Sequence, residues 1–129
     1  MKKEPSFYTD PEAGTIVQVI CGGHGEVLQN GGLNLRRLQS NDTEAAHEKH
    51  LPVVRRYKNA IRVEVGEVFH PMTPEHSIGF VYLETERGGQ RVDLKPDEEP
   101  VADFVVPEGD VPIAAYAYCN LHGFWRTEI

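Results

Sequence analysis

Six side chains that can bind a metal ion stand in three short segments of the sequence. The segments HEKHLP, HPMTPEH and CNLH begin at His47, His70 and Cys119, and they hold five of the six histidines. Neutral imidazole suits zinc, copper, iron and nickel, and a thiolate adds a soft, electron-rich ligand. Structural zinc commonly takes four ligands with two or more cysteines. Several histidines with a single cysteine therefore favour a redox-active transition metal over a structural one.

Each segment is predicted to lie in a loop or at a strand edge, because Pro71, Pro74 and Gly123 flank them. Loops at one end of a β-sandwich can converge in space. Taken singly, each residue also has an ordinary interpretation: a lone histidine is usually at the surface, and Cys119 fits a buried, inert thiol. HEKH lacks the H-E-x-x-H spacing of helical zinc proteases, and Pro52 opposes a continuing helix.

The rest of the sequence predicts short strands separated by turns, and these strands must position the three segments. IRVEV, from Ile61 to Val65, alternates apolar and charged residues, which predicts a strand with one buried face. Gly88 and Gly89 lie between two strand-like segments and predict a hairpin turn. Further strands are predicted in PVVRRY, SIGFVYLETE, QRVDLK, VADFVV and PIAAYAYC. With no long helix, the pattern predicts an all-β fold, an Ig-like antiparallel β-sandwich over residues 45–129.

The first 40 residues have a different character. TIVQVI predicts a strand, and a glycine-rich segment follows it around short apolar pieces. Residues 1–40 are predicted to form a small β-rich lobe. The polar segment from Gln39 to Ala46 is the predicted linker to the main domain.

Composition limits the partners and the compartment. The chain has 13 basic and 20 acidic residues and a net charge of -7, which argues against nucleic acid and anionic membranes as partners. No apolar run is long enough to cross a bilayer, and the N-terminus lacks the apolar segment of a secretion signal. The two cysteines, Cys21 and Cys119, are therefore expected to be reduced thiols or metal ligands in the cytoplasm.

Three segments together carry a family resemblance. EKHLPVV (48–54), HPMTPEHSI (70–78) and CNLHGFW (119–125) resemble, in this order, motifs of the superoxide reductases, also called desulfoferrodoxins and neelaredoxins. The resemblance implies one mononuclear non-haem iron with an open sixth position, bound by four equatorial histidines and one axial cysteine. The implied ligands in this chain are His50, His70, His76, His122 and Cys119.

The implied activity is the one-electron reduction of superoxide to hydrogen peroxide. The resemblance implies that Lys49 attracts superoxide and orders a proton-delivering water, and that Glu48 brings a carboxylate to the oxidised iron. The backbone N–H groups of Leu121 and His122 are predicted to bond the Cys119 sulfur, which would tune its donor strength. An alternative stays open: a zinc-stabilised structural or binding module that uses the same ligands.

The N-terminal lobe departs from one branch of the family. Relatives with two iron centres carry four cysteines there, whereas this chain has only Cys21. The chain therefore resembles a single-iron subclass whose lobe has lost its metal, and its electron is expected from an external donor such as a rubredoxin. The lobe also implies a homodimer. No role is assigned to Cys21, His24 or His47, and His47 lies one place ahead of the ligand motif.

Overall fold

Antiparallel strands make up nearly all the regular structure of this chain. The computed structural model describes residues 5–10, 12–22, 25–30 and 33–129; His24 lies outside them. The chain divides into two compact units, Met1–Gln39 and Ser40–Ile129.

The described part of the first unit is one antiparallel sheet with strand order β2-β1-β4-β3. Its strands are β1 Ser6–Asp10, β2 Thr15–Val19, β3 Val27–Asn30 and β4 Leu33–Arg37. The buried Tyr8 donates its hydroxyl hydrogen to the Gly25 carbonyl at 2.9 Å, which fastens β1 to the segment that precedes β3.

The second unit contains two antiparallel sheets with strand orders β11-β10-β7-β8 and β5-β6-β9. Its elements are α1 His47–His50, β5 Pro52–Tyr57, β6 Ala60–Val65, β7 Ile78–Thr85, β8 Gly88–Asp93, β9 Val101–Val105, β10 Pro112–Cys119 and β11 Gly123–Glu128.

The two sheets of the second unit share one hydrophobic core. On β6 the apolar residues of IRVEV point inward and are at most 2% exposed, while Arg62 between them is exposed. Because successive strand residues point to opposite faces, this alternation buries one face and leaves the other in water. Each fully buried Val or Ile contributes about 1.5–3 kcal/mol. Cys119, at the end of β10, belongs to the same core cluster and is fully buried.

The predicted all-β fold is confirmed, but strand β11 was not among the predicted strands, and two further local differences concern α1 and the β7–β8 hairpin. The segment HEKH forms the four-residue helix α1, closed by a 2.9 Å bond from the Leu51 N–H to the His47 carbonyl. Gly88 and Gly89 do not form the hairpin turn but begin β8, so the turn lies at residues 86–87. None of the described residues belongs to a helix that is long and apolar enough to span a bilayer.

Candidate metal centre

Segments that lie far apart in the sequence meet at the end of β10. His50 is the last residue of α1, His70 and His76 lie in the segment between β6 and β7, and Cys119 and His122 border the turn between β10 and β11. His50, His70 and Cys119 are buried, and His76 and His122 are half-buried. The fold therefore brings together all five residues that the resemblance implies as ligands.

The four imidazole rings form a closed quadrilateral. Consecutive ring centroids are 4.7 Å apart for His50–His70, 4.5 Å for His70–His76, 5.2 Å for His76–His122 and 4.9 Å for His122–His50. The diagonal between His50 and His76 is 6.4 Å, which is longer than every side. Four rings at the corners of a tetrahedron would have six equal separations. The longer diagonal therefore excludes a regular tetrahedron of rings, and its length is compatible with a square.

Backbone carbonyls fix the tautomers of two of these rings. His50 Nδ1 lies 2.7 Å from the Ala46 carbonyl oxygen, and His70 Nδ1 lies 2.7 Å from the Pro71 carbonyl oxygen. A carbonyl oxygen only accepts, so each Nδ1 must carry the hydrogen, and each Nε2 has a free lone pair. Such bonds from the second ring nitrogen orient metal-binding histidines in proteins.

The free nitrogens face one another and the cysteine sulfur. His50 Nε2 lies 3.1 Å from His122 Nδ1, and His70 Nε2 lies 3.3 Å from Cys119 Sγ. Two ligands at right angles, each about 2.1 Å from one ion, lie about 3.0 Å apart, whereas tetrahedral ligands lie about 3.4 Å apart. The 3.1 Å separation of the two nitrogens is thus suited to ligands at right angles.

The donor atoms of four residues also satisfy a common distance limit; His70 is not in this group of four, although its Nε2 lies 3.3 Å from Cys119 Sγ. The ligand atoms of His50, His76, Cys119 and His122 all lie within 4.8 Å of one another. His76 Nε2 is buried and has no hydrogen-bond partner among the described residues. Leaving a buried polar atom unpaired costs about 1–3 kcal/mol, and a bond to a metal ion would remove that cost. The donor set therefore fits a transition-metal ion.

Burial keeps the imidazoles in the form that binds metals. Burial is the largest of the causes that together lower the pKa of His70 to about 4; the bond to the Pro71 carbonyl opposes it, and the neighbouring His50 and His76 rings add smaller effects in the same direction. Burial likewise lowers the pKa values of His50 and His76. In both cases the neighbouring His122 ring is the next largest cause that lowers the pKa. Each of these three pKa values lies below the usual 6.5, so the rings are neutral at pH 7.

The sulfur receives one of the two backbone bonds predicted for it. The His122 N–H donates to Cys119 Sγ at 3.4 Å, whereas the Leu121 N–H acts on this sulfur only by lowering the pKa of the thiol. Burial raises the pKa of the Cys119 thiol, and the two N–H groups lower this pKa in part. A divalent cation beside the sulfur would favour the thiolate strongly.

Trp125 contacts the site from β11, and its position did not follow from the sequence. Its indole N–H donates to the His122 carbonyl at 3.0 Å, and its ring lies 4.9 Å from the His50 ring. His47 lies on the exposed surface with its ring 5.4 Å from Trp125 and does not join the convergent donor atoms. Trp125 stands inside the CNLHGFW motif, but no spacing rule predicts these contacts.

Glu48 and Lys49 occupy exposed positions on α1, immediately before His50. The Glu48 carboxylate is not among the donor atoms that converge within 4.8 Å. The positive charge of Lys49 contributes to lowering the pKa of His76, so its ammonium acts on that part of the site. The Val68 N–H holds the Glu48 carbonyl at 2.8 Å, and Gly66 packs against the Glu48–Lys49 peptide.

Fold and site together define a β-sandwich protein with a histidine–cysteine metal site. A family model described as Desulfoferrodoxin matches residues 42–128. A desulfoferrodoxin from Clostridium acetobutylicum is 39% identical over 100% of both chains. A superoxide reductase from Pyrococcus horikoshii is 34% identical and covers 64% of this chain and 86% of its own. The chain belongs to the desulfoferrodoxin family.

Solved structures agree with this assignment. The crystal structure of the superoxide reductase from Treponema pallidum has a TM-score of 0.82 and 36% identity, and it covers 97% of this chain and 99% of its own. The superoxide reductase from Giardia intestinalis, a 1Fe-SOR, has a TM-score of 0.56 and 34% identity over 64% of this chain and 97% of its own. The family resemblance seen in the sequence is confirmed.

Proposed function

We propose that this chain is a superoxide reductase, in which superoxide, one electron and two protons give hydrogen peroxide. The observation that carries the proposal is the quadrilateral of imidazole rings with the Cys119 sulfur against it. Five donor atoms in this arrangement exceed the four of a closed structural zinc site. The family membership supports the same activity.

The metal would be a single non-haem iron. Its ligands would be His50 Nε2, His70 Nε2, His76 Nε2, His122 Nδ1 and Cys119 Sγ. Iron bound by imidazole and thiolate can cycle between the ferrous and ferric states, which supplies the electron for superoxide. The chain's own contribution is to keep the imidazoles neutral and to bond the sulfur through the His122 N–H group.

Lys49 would attract the substrate and help to protonate it. The net charge of -7 repels superoxide, but an exposed ammonium beside His76 creates a local positive potential. A Debye length of about 8 Å screens the more distant acidic residues. Lys49 Nζ would also hold a water able to deliver a proton to the bound substrate. Glu48, the adjacent residue, would supply a carboxylate ligand when the metal is oxidised.

The two units would have separate roles. Residues 45–129 form the iron-binding reductase domain. Residues 1–40 form a desulforedoxin-like lobe that lacks its own metal, because the whole chain has two cysteines and one of them is Cys119. The electron then comes from an external, rubredoxin-like donor, and the lobe contributes to a homodimer.

Anaerobic purification followed by pulse radiolysis tests this function. The reduced protein should contain about one iron per chain, and it should reduce superoxide by one electron to peroxide without evolving oxygen. Cys119→Ser should lose this activity, whereas Cys21→Ser, which changes an exposed cysteine outside the site, should keep it. Tightly bound zinc and no superoxide reduction would instead favour the structural or binding module.

A further inference from the structure

Asn120, between Cys119 and His122, makes hydrogen bonds to both neighbours of His76. Its Nδ2 donates to the Glu75 carbonyl at 2.8 Å, and the Ser77 N–H donates to its Oδ1 at 3.0 Å. Its own N–H donates to the Ser77 carbonyl at 3.2 Å. These three bonds, here called the Asn120 bridge, tie the loop that carries the sulfur to the loop that carries His76.

His76 depends on the Asn120 bridge more than the buried rings of His50 and His70 do. The rings of His50 and His70 are held by Nδ1–H bonds to backbone carbonyls. Among the described residues, no hydrogen bond to a ring nitrogen holds His76, and its Nε2 is buried without a partner. Its location therefore depends on its backbone, which bonds to Thr73 on one side and is flanked by the Asn120 bridge.

We infer that Asn120 is a positioning residue that fixes His76 relative to the Cys119 sulfur. The inference rests on the proposed role of His76 as a ligand. An asparagine suits this position because one side chain must accept from an N–H and donate to a carbonyl, and the amide group does both. The two partners also fix which atom is Oδ1 and which is Nδ2, since the carbonyl of Glu75 can only accept.

Asn41 provides a matched control because it makes the same set of bonds elsewhere in this unit. Its Nδ2 donates to the Arg126 carbonyl at 3.2 Å, its Oδ1 accepts from the Arg126 N–H at 2.8 Å, and its N–H donates to the Phe124 carbonyl at 2.8 Å. Asn41 has a positive φ of 58°, so alanine adds backbone strain there. Asn41→Ala should therefore destabilise the fold at least as much as Asn120→Ala.

Cobalt(II) binding to the full-length chain tests the inference without recourse to enzymatic activity. The thiolate-to-cobalt absorption band reports metal binding in every variant, because Trp125 fluorescence would also respond to Asn41, which bonds the residues on both sides of Trp125. Asn120→Ala should lower the cobalt(II) affinity by about 10- to 100-fold, the usual effect of losing an outer-shell partner. Asn41→Ala should stay within about twofold of the unaltered chain. The thiolate-to-cobalt band should persist in both variants because Cys119 is unchanged.

A double-mutant cycle with His76 separates positioning from general stability. If Asn120 acts through His76, adding Asn120→Ala to His76→Ala should change the affinity by no more than about twofold. Equal losses in Asn120→Ala and Asn41→Ala, or additive losses in the double variant, would overturn the inference while leaving the proposed ligands intact. An unchanged affinity in His76→Ala would overturn the ligand role itself, and with it this inference.

Discussion

Replacing Gly66 with alanine would displace the Glu48–Lys49 peptide. A Cβ atom at residue 66 would lie 2.6 Å from the Glu48 carbonyl oxygen and 2.9 Å from the Lys49 carbonyl carbon. The oxygen would have to retreat by about 0.4 Å to reach even the 3.0 Å limit for real Cβ contacts. Both atoms belong to the backbone, and the Val68 N–H holds the same oxygen at 2.8 Å, so no flexible side chain can absorb the shift.

The displacement should affect both stability and rate. Overpacking of this kind costs about 1–3 kcal/mol, which urea unfolding of the metal-free protein would measure. A misplacement of about 1 Å can cost about 100-fold in rate, so a shift of roughly half that size predicts about a tenfold loss in the second-order rate constant with superoxide. Pulse radiolysis measures that constant directly.

Gly79→Ala is the matched control for this prediction. Gly79 lies on β7, and a Cβ there would meet its nearest atom, on the Tyr118 ring, at an ordinary 3.9 Å. We expect this variant to keep the rate and nearly all the stability of the unaltered protein. If Gly66→Ala behaves like Gly79→Ala in both assays, the close packing of Gly66 does not position Glu48 and Lys49.

Three further predictions concern charge and proton binding. Lys49→Ala should slow the reaction with superoxide and flatten its dependence on salt. The control Lys58→Ala, at the β5–β6 turn, should change neither. Equal rates in both variants would refute steering by Lys49. Glu48→Ala should alter the absorption spectrum of the oxidised protein and its pH dependence, and an unchanged spectrum would exclude the ligand role. His70 alone should cost the metal-free protein about 3 kcal/mol of unfolding free energy as the pH falls from 6.5 to 4, because its pKa is about 4 in the folded chain and about 6.5 in the unfolded chain, which therefore binds the proton first. Urea unfolding of His70→Gln should show a flatter profile over this range, and an equally steep one would contradict the assignment.

The sequence was sufficient to predict β6 because one face of this strand is buried. Alternation along β6 required only that Ile61, Val63 and Val65 share a face, and the structure places all three in the core. The β7–β8 turn was harder to predict, because glycine has more than one use. Gly89 lies where the Tyr82 ring would collide with any Cβ, so close packing explains this glycine better than turn geometry.

The helix α1 was missed because tertiary contacts, more than local preference, stabilise it. HEKH is too short to form a stable helix alone. In the fold, the Glu48 carbonyl accepts from Val68, and Gly66 allows the two segments to approach. Neither contact is visible in the local sequence. The same reasoning explains why the sequence did not assign a role to Asn120, whose partners Glu75 and Ser77 lie over 40 positions away.

The site itself was more predictable than the contacts that support it. Residue type pointed to the histidines and the cysteine of three segments, His47 included, and the family resemblance of the ordered motifs selected five of them as the implied ligands. Trp125 and its bond to the His122 carbonyl could not be predicted, since an indole serves equally well as core packing.

X-ray absorption at the iron edge of the anaerobically loaded protein identifies the atoms bound to the metal. We expect one sulfur and four nitrogen scatterers around iron, with the sulfur contribution absent in Cys119→Ser and retained in Cys21→Ser. A four-coordinate shell, or a sulfur contribution that survives in Cys119→Ser, would contradict the assignment of the quadrilateral of imidazoles and Cys119 as the ligands.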